Sequence, residues 1–267
     1  MRNGEFENIR KRAVASYMDT LAEIEPSSAP RWLLTLCIIP VWFWEVFKVV
    51  LGFGVAVGNV GASRFTIGYE VVQDGRVAAR ARTVLCIFDF EAGRPRRMLP
   101  QERSWFVERS GPLEPLRTLG NWRPGPAAYS APLVVRWTDL DSYGHVNNVR
   151  FFDFVAEARV HMSSDADQAG NRMTAAAEAG YLWMVVRQDV DYLAQLDHRL
   201  DPYETRVAVA DIGRTSMSLV AEVTDPMYGT VHARARTVLV CGDRTGRPIP
   251  VPDELRHGLE TWPAVVV

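Results

Sequence analysis

Arg136-Trp137-Thr138-Asp139-Leu140-Asp141-Ser142-Tyr143-Gly144-His145-Val146-Asn147-Asn148-Val149-Arg150-Phe151-Phe152 is the stretch on which the fold turns. It sets two carboxylates, a glycine, a histidine and two amides directly ahead of a segment with helical periodicity. There Val149, Phe152, Val155, Ala156 and Val160 recur at helix-like spacing. A helix start presents backbone N–H groups without intrahelical partners and a partial positive charge. Such groups can hold a developing oxyanion. Gly144 lets the backbone approach a ligand closely. A carboxylate a few residues earlier can serve the same point as nucleophile or as general base on water. These are the minimum parts for transfer of an acyl group to water. The same residues have plainer uses. Asp139 and Asp141 suit helix capping, and Asn147 is the simplest cap of all.

Outward from this loop the chain reads as α+β. Leu133 to Trp137 is a short apolar strand, Thr138 to His145 a polar loop, and Asn147 to Ser163 a helix. Leu182 to Val190 and Thr205 to Ala210 read as strands, and Met217 to Val223 pairs through a turn with Val231 to Cys241. An antiparallel sheet laid on one long helix is the expected packing. Asp189 and Asp191 flank Val190 and so share one strand face. Glu157 lies on the helix and reads as a packing or interface polar residue.

The chain also repeats itself. Ala79-Arg80-Ala81-Arg82-Thr83-Val84-Leu85 recurs as Ala233-Arg234-Ala235-Arg236-Thr237-Val238-Leu239. Gly61 matches Gly213, Glu70-Val71 matches Glu222-Val223, and Gly93-Arg94-Pro95 matches Gly246-Arg247-Pro248. A single long period of this kind means two copies of one domain rather than a solenoid. In the first copy Phe65 to Val72, the turn Gln73-Asp74-Gly75, and Val77 to Phe90 read as a hairpin. The alternating arginines mark a solvated strand face. The first copy has no room for a counterpart of the 133–145 strand and loop; Asn8 to Glu25 is the candidate for its helix. The expected organisation is a degenerate first repeat over 1–110, a linker over 111–130, and a complete domain over 131–262.

Composition limits the alternatives. Thirty basic and 32 acidic side chains leave a net charge of −2, so nothing points to nucleic acid. Cys37, Cys86 and Cys241 are widely spaced, which suits neither a disulfide framework nor a zinc site and fits a cytoplasmic protein. No metal or cofactor is called for. Trp32 to Val57 is nearly all apolar and long enough to span a bilayer. Pro40, Glu45 and Lys48 interrupt it, so buried strands are favoured over a membrane span.

The string Asp139-x-Asp141-x-x-Gly144-His145-Val146-Asn147-Asn148, with Glu157-Ala158-Arg159 in the helix, resembles the hotdog-fold acyl thioesterases, including the 4-hydroxybenzoyl-CoA and acyl-carrier-protein thioesterase groups. The resemblance covers residues 131–260. With the repeat it implies a double hotdog: each copy a long helix wrapped by an antiparallel sheet, the first lacking its front strand and loop. It implies hydrolysis of an acyl thioester of CoA or of acyl-carrier protein. Asp141 matches the catalytic carboxylate of the 4-hydroxybenzoyl-CoA group, and Asn148 stands where that group polarises the carbonyl with a backbone N–H. Asp141 and His145 match the outer members of the plant acyl-carrier-protein loop. Tyr143 stands where that loop has Asn, and Asp189 is a candidate for its strand acid. Tyr143, Gly144, Asn147 and Asp189 are the expected substrate contacts. One active site per chain follows, with the first copy as its opposing wall; a homo-oligomer of such chains is compatible. A non-catalytic thioester-binding protein is the alternative, and a hotdog hydratase or dehydratase a more distant one.

Overall fold

The computed structural model describes residues 51–89, 91–166 and 180–267. They belong to two units, Met1–Leu116 and Arg117–Val267. Asn8 to Glu25, Cys37 and most of the apolar stretch from Trp32 lie outside the described residues. The end of that stretch is a strand, and among the described residues no helix is long and apolar enough to cross a membrane.

In the first unit β1 (Leu51–Gly58), β2 (Arg64–Gln73) and β3 (Arg76–Cys86) form an antiparallel sheet in that order. Asp74 and Gly75 turn β2 into β3 with φ of 51° and 75°. Two left-handed residues in a two-residue loop match the strands' twist, which is why Asp-Gly forms this hairpin. A short ribbon of β4 (Phe88–Asp89) and β5 (Arg94–Pro95) leads to α1 (Pro100–Glu108). Pro100 gives up no hydrogen bond in the first turn. Glu102 accepts the Leu99 N–H at 2.7 Å and a two-point contact from Arg96 at 2.8 Å. The Arg96 guanidinium first, and then that N–H, hold the Glu102 carboxyl down at about 2. The Phe106 ring of α1 stacks on Phe65 at 4.0 Å.

The second unit runs β6 (Trp122–Pro124), β7 (Tyr129–Leu133), α2 (Arg150–Ala166), β8 (Leu182–Tyr192), β9 (Tyr203–Ile212), β10 (Ser216–Thr224), β11 (Val231–Gly242), α3 (Asp253–Leu259) and β12 (Ala264–Val266). Its main sheet is antiparallel, in the order β7-β9-β10-β11-β8. β6 and β12 pair separately, so part of the expected linker is ordered as strand. The helix buries Phe151, Phe154, Val155, Ala158, Met162 and Ala166 and leaves Asp153 and Glu157 exposed. That stripe packs with Val207, Leu219, Ala221, Ala235 and Leu239 toward one end and with Leu133, Val135, Val146 and Tyr203 toward the other. A long helix on an antiparallel sheet is the hotdog architecture. Burying each of the larger side chains contributes about 1.5–3 kcal/mol.

Two local expectations shift. The strand ahead of the loop is Tyr129–Leu133, and the apolar Leu133 to Trp137 run instead closes the core end and enters a 3-10 turn at Trp137–Asp139. Val135 is buried there without a strand partner. The helix begins three residues later than expected, because Asn147 and Asn148 form its entry turn.

The sequence repeat is also a repeat of backbone hydrogen bonds. Glu70 lies opposite Arg80, and Glu222 opposite Arg234; both hairpins slip register one residue later along β2 and β10, after Val71 and Val223. Gly61 N–H bonds Arg64 O and Gly213 N–H bonds Ser216 O, each at 2.8 Å. Ile87 to Ser63 and Met98 to Ala62 have their counterparts in Cys241 to Thr215 and Val251 to Arg214. The parallel bridge between Val57 and Ser110 answers that between Val209 and Pro263. Corresponding positions of the two repeats thus close the same bonds in both units, although most of the residues differ.

Candidate active site

The loop between β7 and α2 is held by its own backbone. Leu140 and Val146 form an antiparallel bridge, and Asp141 N–H donates to His145 O at 2.8 Å. Gly144 closes the turn with a φ of 80°, a value L side chains rarely adopt, and nothing lies within 4 Å above its Cα. Val146 N–H donates to Leu196 O at 3.0 Å, which ties the loop to the segment between β8 and β9.

The two aspartates are placed differently. Asp139 is buried and its Oδ2 accepts Arg136 N–H at 2.8 Å, while Arg150 Nε stands 3.5 Å from Oδ1. Its carbonyl accepts Asn147 N–H at 2.8 Å. Asp139 therefore fastens both ends of the loop. Asp141 is partly exposed; its Oδ1 accepts Tyr143 N–H at 2.8 Å. Among the described residues its Oδ2 accepts no hydrogen bond.

At the helix entry, Asn147 Oδ1 accepts Val149 N–H at 3.0 Å and Asn147 O accepts Arg150 N–H at 2.8 Å. Asn147 N–H is taken by Asp139. Among the described residues the Asn148 N–H has no acceptor. The Asn148 carbonyl accepts the Tyr192 hydroxyl at 2.9 Å, so the end of β8 fixes the peptide that follows Asn148. Burial pushes the Tyr192 pKa up, which keeps it a donor. Its ring meets Phe151 edge-on at 5.3 Å. Tyr192 and Leu196 were missed in the sequence; their role depends on the pairing of distant segments and leaves no local signal. The His145 ring is partly buried, and Tyr143 is exposed.

Asp189 does not join this group. Val190 faces the helix and packs in both core clusters, so Asp189 and Asp191 point to the other sheet face. Arg187 grips both Asp189 oxygens, at 2.9 and 2.7 Å, and donates to Arg117 O at 2.5 Å. The Asp189 carboxylate is a structural partner of an arginine on its own strand. Arg234 with Glu222 and Arg236 with Asp191 continue the ion-paired face that the alternating arginines announced. Arg150 is engaged by Asp139 and Asp153. Arg159 is half-buried, with Nη1 unpartnered among the described residues, and that burial pushes its pKa down.

An antiparallel sheet over a long helix, with a carboxylate loop at the helix entry, defines the hotdog class. Residues 135–259, from Val135 through α3, are similar to the thioesterase-like superfamily, whose model they match. Solved structures similar to the chain include a thioesterase from Thermus thermophilus crystallised with coenzyme A and Zn, at 28% identity over 52% of this chain and 99% of that one, with a TM-score of 0.43. The probable thioesterase YbaW from Escherichia coli matches at 28% identity over 50% and 98%, TM-score 0.43. A 1,4-dihydroxy-2-naphthoyl-CoA thioesterase from Synechocystis matches at 16% over 49% and 95%, TM-score 0.45. No curated protein matches the chain.

Proposed function

We propose that residues 117–267 hydrolyse the thioester of an acyl group carried on CoA or on acyl-carrier protein. The observation that carries this reading is that one loop holds, among the described residues, an aspartate oxygen without a hydrogen-bond donor, Asp141 Oδ2, and an N–H without an acceptor, that of Asn148. The thioester carbonyl oxygen accepts from Asn148 N–H at the positive end of α2, which stabilises the oxyanion. Asp141 either takes a proton from water as that water attacks, or attacks the carbonyl itself to give an anhydride that water then opens. Either route expels a thiolate, a good leaving group, and yields the free acid. His145 lines the loop and positions the acyl group or the water, with Tyr143, Gly144 and Asn147 forming the walls.

Thiol release from a panel of aliphatic and aromatic acyl-CoAs, in the presence and absence of added carrier protein substrates, tests the reading. Asp141→Asn keeps the Oδ1 acceptor for Tyr143 N–H and removes the negative charge. Turnover should fall at least a hundredfold with unchanged thermal unfolding. Hydrolysis at the wild-type rate in this variant would falsify the assignment of Asp141. Tight binding of acyl-CoA without thiol release by the wild-type chain would favour the non-catalytic alternative.

A further inference from the structure

Residues 193–202 join β8 to β9 without a strand of their own, and three consecutive carbonyls in this connection each accept a bond from a different element. His232 Nδ1, on β11, donates to Gln195 O at 2.6 Å. Val146 N–H, in the carboxylate loop, donates to Leu196 O at 3.0 Å. The Tyr203 hydroxyl, at the start of β9, donates to Asp197 O at 3.1 Å. A carbonyl can only accept, so the hydrogen of the first contact sits on Nδ1. Nε2 of the same ring is buried and has no partner among the described residues, so the bond to Gln195 is the one the ring makes there.

His232 reaches the connection because of a β-bulge. Val223 lies opposite Ala233 and Thr224 opposite Val231, which leaves His232 as the extra residue of β11. A bulged residue drops out of the ladder and its side chain is re-aimed. The His232 carbonyl turns to the same connection and accepts Leu193 N–H at 2.8 Å and Ala194 N–H at 3.1 Å. Its ring is buried edge-on to Tyr203, 5.4 Å between centroids. The first unit has the same bulge, with Val71 opposite Ala79 and Val72 opposite Val77, but the residue in it is Ala78, which has no side-chain donor. The stretch that follows each bulge, Ala79 to Leu85 and Ala233 to Leu239, is identical, so the difference falls on the bulge itself.

The middle carbonyl, Leu196 O, is the one that bears on the loop. Val146 lies between His145, whose carbonyl accepts Asp141 N–H, and Asn147, whose N–H donates to Asp139 O. A displaced Leu196 peptide therefore moves Asp141 and Asn148 together with Val146. We propose that His232 is a positioning residue for the thioester reaction: its ring fixes the Gln195 peptide, so that Leu196 O holds Val146 where Asp141 and Asn148 N–H can serve one carbonyl. It acts through the connection and touches no reacting atom. The inference rests on the thioesterase reading.

The test sets two substitutions against each other. His232→Asn puts an amide N–H in the place of Nδ1 and keeps the donor, whereas His232→Leu keeps bulk and loses it. Thiol release from the acyl-CoA that the wild type turns over best should show kcat lower by about tenfold or more in His232→Leu, with KM within about twofold, and mostly restored in His232→Asn. Equal losses in the two variants, or a raised KM with kcat unchanged, would overturn the proposal. Should His232→Leu not fold, His232→Gln takes its place, because its amide lies at the level of Nε2 and misses Gln195 O. Amide exchange at Val146, read by NMR in the same variants, does not depend on turnover. It should quicken relative to Leu219 of β10 where the donor is lost and stay near wild type in His232→Asn. A wild-type chain that releases no thiol would end the thioesterase reading; unmoved Val146 exchange in an active chain would end this proposal alone.

Discussion

Asp139 offers a sharp test of how the loop is held, because two substitutions there remove different things. Its Oδ2 accepts Arg136 N–H at 2.8 Å, and its Oδ1 lies 3.5 Å from a partly exposed Arg150. Asp139→Ala removes the acceptor and leaves a main-chain N–H with no partner beside a buried site. Losing that bond costs about 1–3 kcal/mol when the donor stays dry. Losing the ion pair adds at most about 1 kcal/mol, since Arg150 is nearly half exposed and water screens it. Asp139→Asn keeps an oxygen for Arg136 N–H and gives up only the charge. The expected order is therefore wild type, then Asn lower by less than about 1 kcal/mol, then Ala lower by about 2 kcal/mol. Urea unfolding followed by tryptophan fluorescence reads this directly, because Trp137 is in the same turn. At an ordinary slope the Ala variant should unfold about 1 M earlier. Equal midpoints for Asn and Ala would refute the reasoning, since they would mean that the charge, and not the accepted N–H, is what holds the turn. Activity should follow stability of the loop: the Ala variant should lose kcat while Asn retains most of it.

Other outcomes are equally specific. At Gly258 an added Cβ would overlap the Ala166 carbonyl oxygen and come within 3.0 Å of its carbon, so Gly258→Ala should force α3 from α2 and cost about 1–3 kcal/mol in thermal or urea unfolding. Leu259 is fully buried in the same contact, and Leu259→Ala should cost about 2–5 kcal/mol in the same measurement. Tyr192→Phe removes the hydroxyl that donates to Asn148 O; stability should drop by about 1 kcal/mol, and thiol release should slow with little change in KM. The Glu102 carboxyl is held at about 2 in the folded chain against 4.5 when free, so its contact with Arg96 stabilises above about pH 4.5 and is lost as the pH falls toward 2. Glu102→Gln should flatten that acid limb of a melting-temperature profile for the first unit and leave stability at pH 7 lower by about 1 kcal/mol or less.

Much of this arrangement was legible in the sequence. The loop before a helix, the helix itself and the two hairpins follow from periodicity and from Asp-Gly, because those features depend on neighbours a few residues apart; the buried face of the helix does not, since of Val149, Phe152, Val155, Ala156 and Val160 only Val155 is buried, and the core takes Phe151, Phe154, Ala158 and Met162 instead. The repeat was legible as identity and reappears as matched hydrogen bonds at Gly61 and Gly213. Asp189 was not legible. Alternation told that it shares a face with Asp191, but which face meets the helix is set by Val190 packing into the core, a contact between segments far apart. The end of β7 was misplaced for a related reason: Val135 is apolar because the core buries it, although no strand pairs with it there. Tyr192 and Leu196 reach the loop only after β8 has been paired, so no local pattern marks them.

Asp139 and Asp141 are two residues apart in a stretch where either would suit catalysis, and the backbone separates them. Asp139 ends the 3-10 turn Trp137–Asp139, whereas Asp141 follows the bridge between Leu140 and Val146. Asp139 falls inward, where Arg136 N–H, Arg150 and, through its carbonyl, Asn147 N–H occupy it. A carboxylate so engaged is occupied in holding the loop. Asp141 falls toward solvent with a single N–H on one oxygen. Among the described residues the other oxygen accepts no hydrogen bond and the Asn148 N–H has no acceptor. Capping and catalysis draw on the same residue types, so composition cannot separate them; counting the donors each carboxylate already holds does. That count is why the proposed reaction is given to Asp141 and the holding of the loop to Asp139.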